Sequence, residues 1–483
     1  MDGITGDWWA QPAARQAAAV RDGETSAAEI VESHLARIAE TGPAVNAITR
    51  LLASSARRDA ADLDRRRARG EETGPLAGVC FTVKESIAVG GVPTTHGAAR
   101  FRNLVAERDA PPVARLRAAG AIPVGHSNMP TLTLAGMHPR SELFGETLNP
   151  WDPGRTPGGS SGGDGVAVAC GMAGLGLGND AGGSVRVPAS FCGVAGLKPT
   201  CGRFAADHRM GPDDPPPGAQ QIVVDGPLAR TVADLRLAFE VLAGADVSDP
   251  RAVPVPTRGE PLDGPVRVAV VTDPGGLGVH PEVRRAVGRA EEALADAGYA
   301  VERVEDVPRL AETVEAYGRW LMTEFAEAWP AVAPLLGQGG DRYLGMGMAR
   351  TGTAGLSEYM RLVGLRLNIR RSWADFLDRY PLVLGPVFTE TPVEPGLESR
   401  DEAGHELVTS ALRLCTATSF AGVPAVAVPT GLAGELPTGV QVIGRPYRED
   451  TCLDAAAAVE ARLGVLTPLD PRRGSRCGAG PTS

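Results

Sequence analysis

Gly78-Val79-Cys80-Phe81-Thr82-Val83-Lys84 is a short, nearly continuous apolar run that ends on a charge. Its length, its β-branched content and the glycine at its start predict a buried strand. Downstream, Pro111 opens a helix that ends at Gly120, and Ala121-Ile122-Pro123-Val124 follows as the next strand. The alternation recurs at 266–271, 281–297 and 300–304, which predict one strand-helix-strand unit. Upstream, the first seventy residues read as helical. Ser26 and Glu29 form a capping box ahead of Ile30, Val31, His34, Leu35 and Ile38 at helical spacing, and an Ala- and Arg-rich helix covers about 53–69. The proline-rich stretch 211–218 is a surface loop. Strands at 424–429 and 439–443 precede a last helix at 450–463. The pattern predicts a single large α/β domain over 1–470 with a helical insertion at about 309–380, and a flexible tail over 471–483.

Composition narrows the function classes. Of the 483 residues, 43% are hydrophobic and 22% charged, a globular balance with ample core. Acidic residues outnumber basic ones by 58 to 48, which argues against a nucleic-acid partner. No apolar run reaches the ~18 residues of a membrane helix, and the start, Met1-Asp2-Gly3-Ile4, is acidic where a signal peptide is basic. The seven cysteines are scattered, so no disulfide framework or metal site is expected, and the protein reads as cytoplasmic. Lysine occurs only at Lys84 and Lys198, the other basic residues being arginine. A coding bias explains the scarcity. Yet arginine cannot accept a proton, so a surviving lysine is a candidate for work that arginine cannot do.

The densest polar pattern is Arg155-Thr156-Pro157-Gly158-Gly159-Ser160-Ser161-Gly162-Gly163, followed after an Ala/Gly-rich helix by Gly178-Asn179-Asp180-Ala181-Gly182-Gly183-Ser184-Val185-Arg186. Successive glycines bring backbone N–H groups close to a ligand, and a concave run of them favours an anion. Ser184 closes such a run, placing a hydroxyl beside a ready oxyanion hole. A phosphate loop or a tight structural turn explains the same glycines. The phosphate-loop signature lacks its lysine, however, and Gly176-Leu177-Gly178 does not continue into a dinucleotide fingerprint. Gly159–Gly163 matches Gly-x-Ser-x-Gly around Ser161, but Trp151-Asp152-Pro153-Gly154 is not the strand that a nucleophile elbow requires. None of the seven histidines shows a local pairing that would make it the base. Lys84 is the other candidate: desolvation could lower its pKa from ~10.4 toward neutrality. The competing reading leaves it in solvent at the strand end.

Taken together, the ordered motifs resemble the amidase signature family. They run from Asn46-Ala47 and Val83-Lys84 through Gly91-Val92-Pro93-Thr94-Thr95, Asn128-Met129, the two glycine-serine segments and Phe191-Cys192-Gly193. Gly196-Leu197-Lys198-Pro199-Thr200, Gly226-Pro227, Ala229-Arg230-Thr231-Val232-Ala233-Asp234 and Gly439-Val440-Gln441 complete them. The resemblance implies a mixed central β-sheet flanked by α-helices. It also implies a Ser-Ser-Lys triad, with Ser184 as nucleophile, Ser160 as a bridging serine beside a cis peptide bond, and Lys84 as base. The N–H groups of Ala181, Gly182, Gly183 and Ser184 would bind the oxyanion. Asp180 and Arg186 would form a supporting network, Ser161 would hydrogen-bond nearby, and Lys198, Cys170 and Cys192 would be structural. The implied reaction takes a small-molecule amide to an acid plus ammonia or amine through an acyl-enzyme, with neither cofactor nor metal.

Two departures, Glu85-Ser86 for the commoner Asp-Asn and His126-Ser127 for Lys-Thr, are not expected to touch the triad. The alternative is the A subunit of a tRNA-dependent glutamine amidotransferase working in a complex. Val187-Pro188 stands where that protein usually has Gln-Pro, which favours a free-standing amidase and leaves a homodimer open. The large side chains of 317–373, with Leu321, Met322, Met346 and Met348, suit either an acyl pocket or a helical core.

Overall fold

The run ending at Lys84 forms a strand buried at all five of its residues, and ten others join it in one sheet. In chain order the strands are β1 (Ile48–Leu51), β2 (Cys80–Lys84), β3 (Ile122–Ser127), β4 (Leu175–Asp180), β5 (Ala195–Lys198) and β6 (Val224–Ala229). They continue as β7 (Arg267–Val270), β8 (Ala300–Arg303), β9 (Leu382–Pro386), β10 (Ala425–Ala433) and β11 (Leu436–Gly444). Across the sheet they lie β1-β3-β2-β4-β6-β5-β10-β11-β9-β7-β8. Strands β3, β2 and β4 are mutually parallel, as are β9, β7 and β8. An antiparallel middle runs from β4 through β6, β5, β10 and β11 to β9, and β1 closes one edge antiparallel to β3. The sheet is therefore mixed and flanked by helices, within one large α/β architecture. This computed structural model describes residues 6–211 and 213–472; residues 473–483 of the expected tail, with Cys477, lie outside the described residues.

Side-chain alternation along β2 decides where the chemistry points. Phe81 and Val83 enter one core cluster and Cys80 the other, on opposite faces of the sheet. Thr82 and Lys84 share the face of Cys80, which is covered by helix Gly162–Ala169. The capping box of Ser26 and Glu29 is present at the start of helix Ala27–Val45.

Several elements differ from expectation. The first seventy residues are not wholly helical, because Ile48–Leu51 pairs as the edge strand. The small-residue helix after Gly163 ends at Ala169; Gly171 turns at φ +75° and the chain re-enters the sheet as β4. Strands β10 and β11 form a longer hairpin than their apolar cores suggested, with a register shift at Pro429/Gly431. A short helix, Pro217–Ile222, follows the proline-rich loop. The insertion is two helices, Leu310–Thr351 and Leu356–Arg379, the first bent at Gly337. Trp320 and Trp373 pack against the sheet residues Val383, Ala425 and Ile443. Among the described residues, no helix is long and apolar enough to cross a membrane.

Candidate active site

Lys84 is fully buried, which removes the solvent-exposed reading. Its Nζ lies 2.6 Å from Ser160 Oγ and 2.6 Å from Asn179 Oδ1. Burial lowers its pKa to about 7, against the opposing pull of Asp164, Asp180 and Asp225. A neutral amine is thus accessible near physiological pH. Asp164 sits at the start of helix Gly162–Ala169 and accepts a hydrogen bond from Thr82 Oγ1, two residues before Lys84, at 2.7 Å. Burial raises this carboxyl to about 6, so near neutral pH it is largely an anion facing the lysine.

That charge can be tested directly. Asp164→Asn keeps the Thr82 contact but removes an anion that favours the ammonium form. The acidic limb of kcat/KM against pH should therefore move to lower pH, and an unmoved limb would refute the electrostatic role.

Ser160 follows a cis peptide bond at Gly159. Gly159 is required by proximity, since a Cβ there would stand 2.0 Å from the Met137 carbonyl oxygen. Ser161 ties the two glycine segments together. Its N–H donates to the Ser184 carbonyl at 3.0 Å, its Oγ donates to the Asn179 carbonyl at 3.2 Å, and the Asn179 N–H donates back to that Oγ at 3.3 Å.

The loop before Ser184 is held from beneath by a buried ion pair. Arg186 donates through Nε and Nη2 to the two oxygens of Asp180 at 3.0 and 2.9 Å, a bidentate geometry. Its guanidinium also reaches Gln441 Oε1, Ser419 Oγ and the Cys415 carbonyl. Burial alone would raise the Asp180 carboxyl, but Arg186 overrides it and holds the group well below the usual carboxylate range. Asp180 then accepts the N–H groups of Gly183 at 2.8 Å and Val185 at 3.1 Å. The Gly183 N–H is therefore turned inward, away from the role expected for it, while Ala181, Gly182 and Ser184 make the remainder of the loop.

Ser184 is half-buried and opens on a cavity of about 410 Å³ shared with Ser160, Asn179 and Ser86. The walls are largely apolar: Leu132, Met137, Ile222, Leu321, Phe325 and Leu344. Tyr317 lies over the loop, its hydroxyl donating to the Ala181 carbonyl at 3.3 Å. The large residues of the insertion thus divide. Leu321, Met322 and Phe325 line the cavity, Trp320 and Trp373 are core, and Met348 packs behind the cavity wall in the cluster that Leu336 and Leu344 form with Met322 and Phe325.

Sequence reasoning missed Asn179, Asp164 and His208, which lines the cavity and pairs with the buried Asp225 at 3.0 Å. Asn179 lies within the second glycine-rich segment, and Asp164 is the one acid in a helix of small residues. Nothing local announces His208 and Asp225. The Glu85-Ser86 departure also lies nearer the triad than expected: Ser86 accepts a hydrogen bond from Asn179 Nδ2 at 3.0 Å, so only Asn179 stands between it and Lys84 Nζ. Lys198 is buried and donates to the Pro199 carbonyl at 2.8 Å, and Cys170 and Cys192 lie in the core. No group of three or more His, Cys, Asp or Glu suited to hold a metal ion occurs among the described residues.

Comparison with known proteins gives consistent matches over most of the chain. The Amidase family matches residues 29–453. The chain is 39% identical to an indoleacetamide hydrolase of Bradyrhizobium diazoefficiens, covering 95% of this chain and 88% of that protein. It is 33% identical to the A subunit of the glutamyl-tRNA(Gln) amidotransferase from a Synechococcus species, covering 93% and 96% respectively. A solved bacterial aryl acylamidase, described as one of the amidase signature enzymes, superposes with a TM-score of 0.81 at 27% identity. That superposition covers 93% of this chain and 96% of the other.

Proposed function

Because this chain belongs to the amidase signature family and is an enzyme that hydrolyses amides, we propose that it cleaves aryl-substituted carboxylic amides through an acyl-enzyme on Ser184. The observation that carries this reading is the 2.6 Å contact between Lys84 Nζ and Ser160 Oγ, at a cavity that Ser184 also lines. Neutral Lys84 takes the Ser160 proton as Ser160 takes that of Ser184, and Ser184 Oγ attacks the amide carbon. The N–H groups of Ala181, Gly182 and Ser184 stabilise the oxyanion, that of Gly183 being engaged by Asp180. The lysine ammonium then returns its proton through Ser160 to the leaving nitrogen, and water releases the acid by the same relay.

The cavity argues for the acyl group. Its volume falls within the ~300–1,000 Å³ of small-molecule sites, and its apolar walls match an aromatic ring. The indoleacetamide hydrolase and aryl acylamidase likenesses point the same way. Glutamine, small and polar, would leave those walls unfilled, which disfavours the amidotransferase reading. Burying an aryl group contributes about 1.5–3 kcal/mol, so arylacetamides should exceed acetamide by roughly 10- to 100-fold in kcat/KM.

The test is fluorophosphonate labelling of the purified chain, with the adduct located by peptide mass spectrometry and competed by indoleacetamide, phenylacetamide, acetamide and glutamine. Label on Ser184 displaced first by the aryl amides is the expected result. A folded protein that leaves Ser184 unlabelled would overturn the proposal.

A further inference from the structure

Asn179 has a hydrogen-bonding position that the triad itself does not explain. Its backbone N–H and carbonyl are both engaged by the Ser161 hydroxyl. Its side chain bridges Lys84 Nζ at 2.6 Å and Ser86 Oγ at 3.0 Å. It is held from both ends and lines the cavity.

The direction of these bonds is fixed by chemistry. A carboxamide oxygen can only accept and its nitrogen only donate, whereas an ammonium or amine presents N–H groups. With Oδ1 facing Nζ and Nδ2 facing Ser86, every contact has one donor and one acceptor. The flipped amide would set Nδ2 against the lysine N–H groups. The lysine N–H thereby selects the amide orientation, and Ser86, whose hydroxyl can donate or accept, accepts from Nδ2 and braces the amide at its far end.

A neutral amine carries two N–H bonds and one lone pair. Unconstrained rotation about Cε–Nζ would often turn an N–H toward Ser160, and a base in that pose cannot receive the serine proton. An acceptor at Asn179 Oδ1 takes one N–H and keeps the lone pair from facing that side, which raises the share of poses that present the lone pair to Ser160 Oγ. We propose that Asn179 is a positioning residue that aims the Lys84 lone pair at Ser160, and that Ser86 braces the Asn179 amide from its far side. The inference rests on the triad reading above, and gives the Glu85-Ser86 departure a purpose that the family resemblance did not supply.

The test uses Asn179→Leu, Asn179→Asp and Ser86→Ala in the full chain, with thermal melts to establish folding. Asn179→Leu, similar in size but without polar atoms, should lower kcat by roughly 10- to 100-fold at nearly constant KM for an arylacetamide. Asn179→Asp keeps the acceptor but adds a carboxylate beside an amine already faced by Asp164, Asp180 and Asp225. The acidic limb of its pH profile should move up by about one unit or more. Ser86→Ala should lower kcat by a few-fold and leave that limb in place.

A merely structural asparagine would leave kcat of folded Asn179→Leu at the parent value. A positioning one predicts that Asn179→Asp, which keeps the acceptor, recovers kcat above its raised limb while Asn179→Leu does not at any pH. Wild-type kcat in Asn179→Leu, or an unmoved limb in folded Asn179→Asp, overturns the inference. If Asn179→Leu does not fold, Asn179→Ala takes its place in the same comparison. Lys84→Ala separates this from the reading beneath it. Full activity in Lys84→Ala refutes the triad, whereas an inactive Lys84→Ala with an unimpaired Asn179→Leu refutes only the role of Asn179.

Discussion

Ser184→Ala is expected to lower kcat on an arylacetamide by on the order of 10⁶-fold, the scale seen when a serine nucleophile is removed from a catalytic unit. The fold should not notice. The carbonyl of residue 184, which accepts the Ser161 N–H, is kept by alanine, and the loop around it is held by the Asp180–Arg186 ion pair. The melting temperature should stay close to that of the parent, and an arylacetamide should still bind, since the cavity walls are unchanged. What disappears is the atom that forms the bond. Steady-state turnover, a thermal melt and binding of an unreactive aryl ligand measured on one preparation make the result specific. Parent-level turnover in Ser184→Ala would sink the assignment of the nucleophile. A large fall in melting temperature would mean that the loop, not the chemistry, had been broken.

Where the sequence was readable, a single rule of periodicity or spacing was enough. The run into Lys84 is apolar, short and bounded by glycine, and it is a buried strand. The unit at 266–304 forms as two parallel strands with a helix between them. The middle of the sheet was harder. Strand β4, Leu175-Gly176-Leu177-Gly178-Asn179-Asp180, alternates with glycine and carries no β-branched residue, so propensity is silent. Its glycines are imposed by neighbours far away in sequence: a Cβ on Gly178 would lie 2.4 Å from Ser161 Oγ. The site shows the same division. Lys84, Ser160 and Ser184 fall in segments whose composition singles them out, and the structure joins Lys84 to Ser160 and brings Ser184 to the same cavity. The bridge made by Asn179 and the pairing of His208 with Asp225 depend on distances between segments, which no local pattern encodes, whereas the inward turn of the Gly183 N–H is made within one segment by Asp180, three residues before it.

Lys84→Arg tests the base more sharply than Lys84→Ala, because it keeps the charge and removes only the ability to be neutral. The lysine lies in a fully buried site where burial lowers its pKa to about 7. Activity that depends on the neutral amine is therefore low below that pH, rises through it, and levels above it. A guanidinium retains its proton up to a pKa above ~12, even beside three carboxylates that favour the cation. It has no lone pair to offer Ser160 at any pH where the protein survives. Loss of general acid–base catalysis contributes ~10²–10⁴-fold, so kcat/KM for Lys84→Arg should fall by at least that much, and the rise near neutral pH should vanish. A small primary amine added to Lys84→Ala should restore part of the turnover, more strongly as the pH rises through the amine's own pKa, whereas Lys84→Arg should resist rescue because its side chain fills the space. Lys84→Arg turning over arylacetamide at the parent rate, with the parent pH profile, would remove lysine from the mechanism. In a chain that otherwise uses arginine for nearly every positive charge, the expected failure of arginine at this position is what would give the surviving lysine its chemical reason.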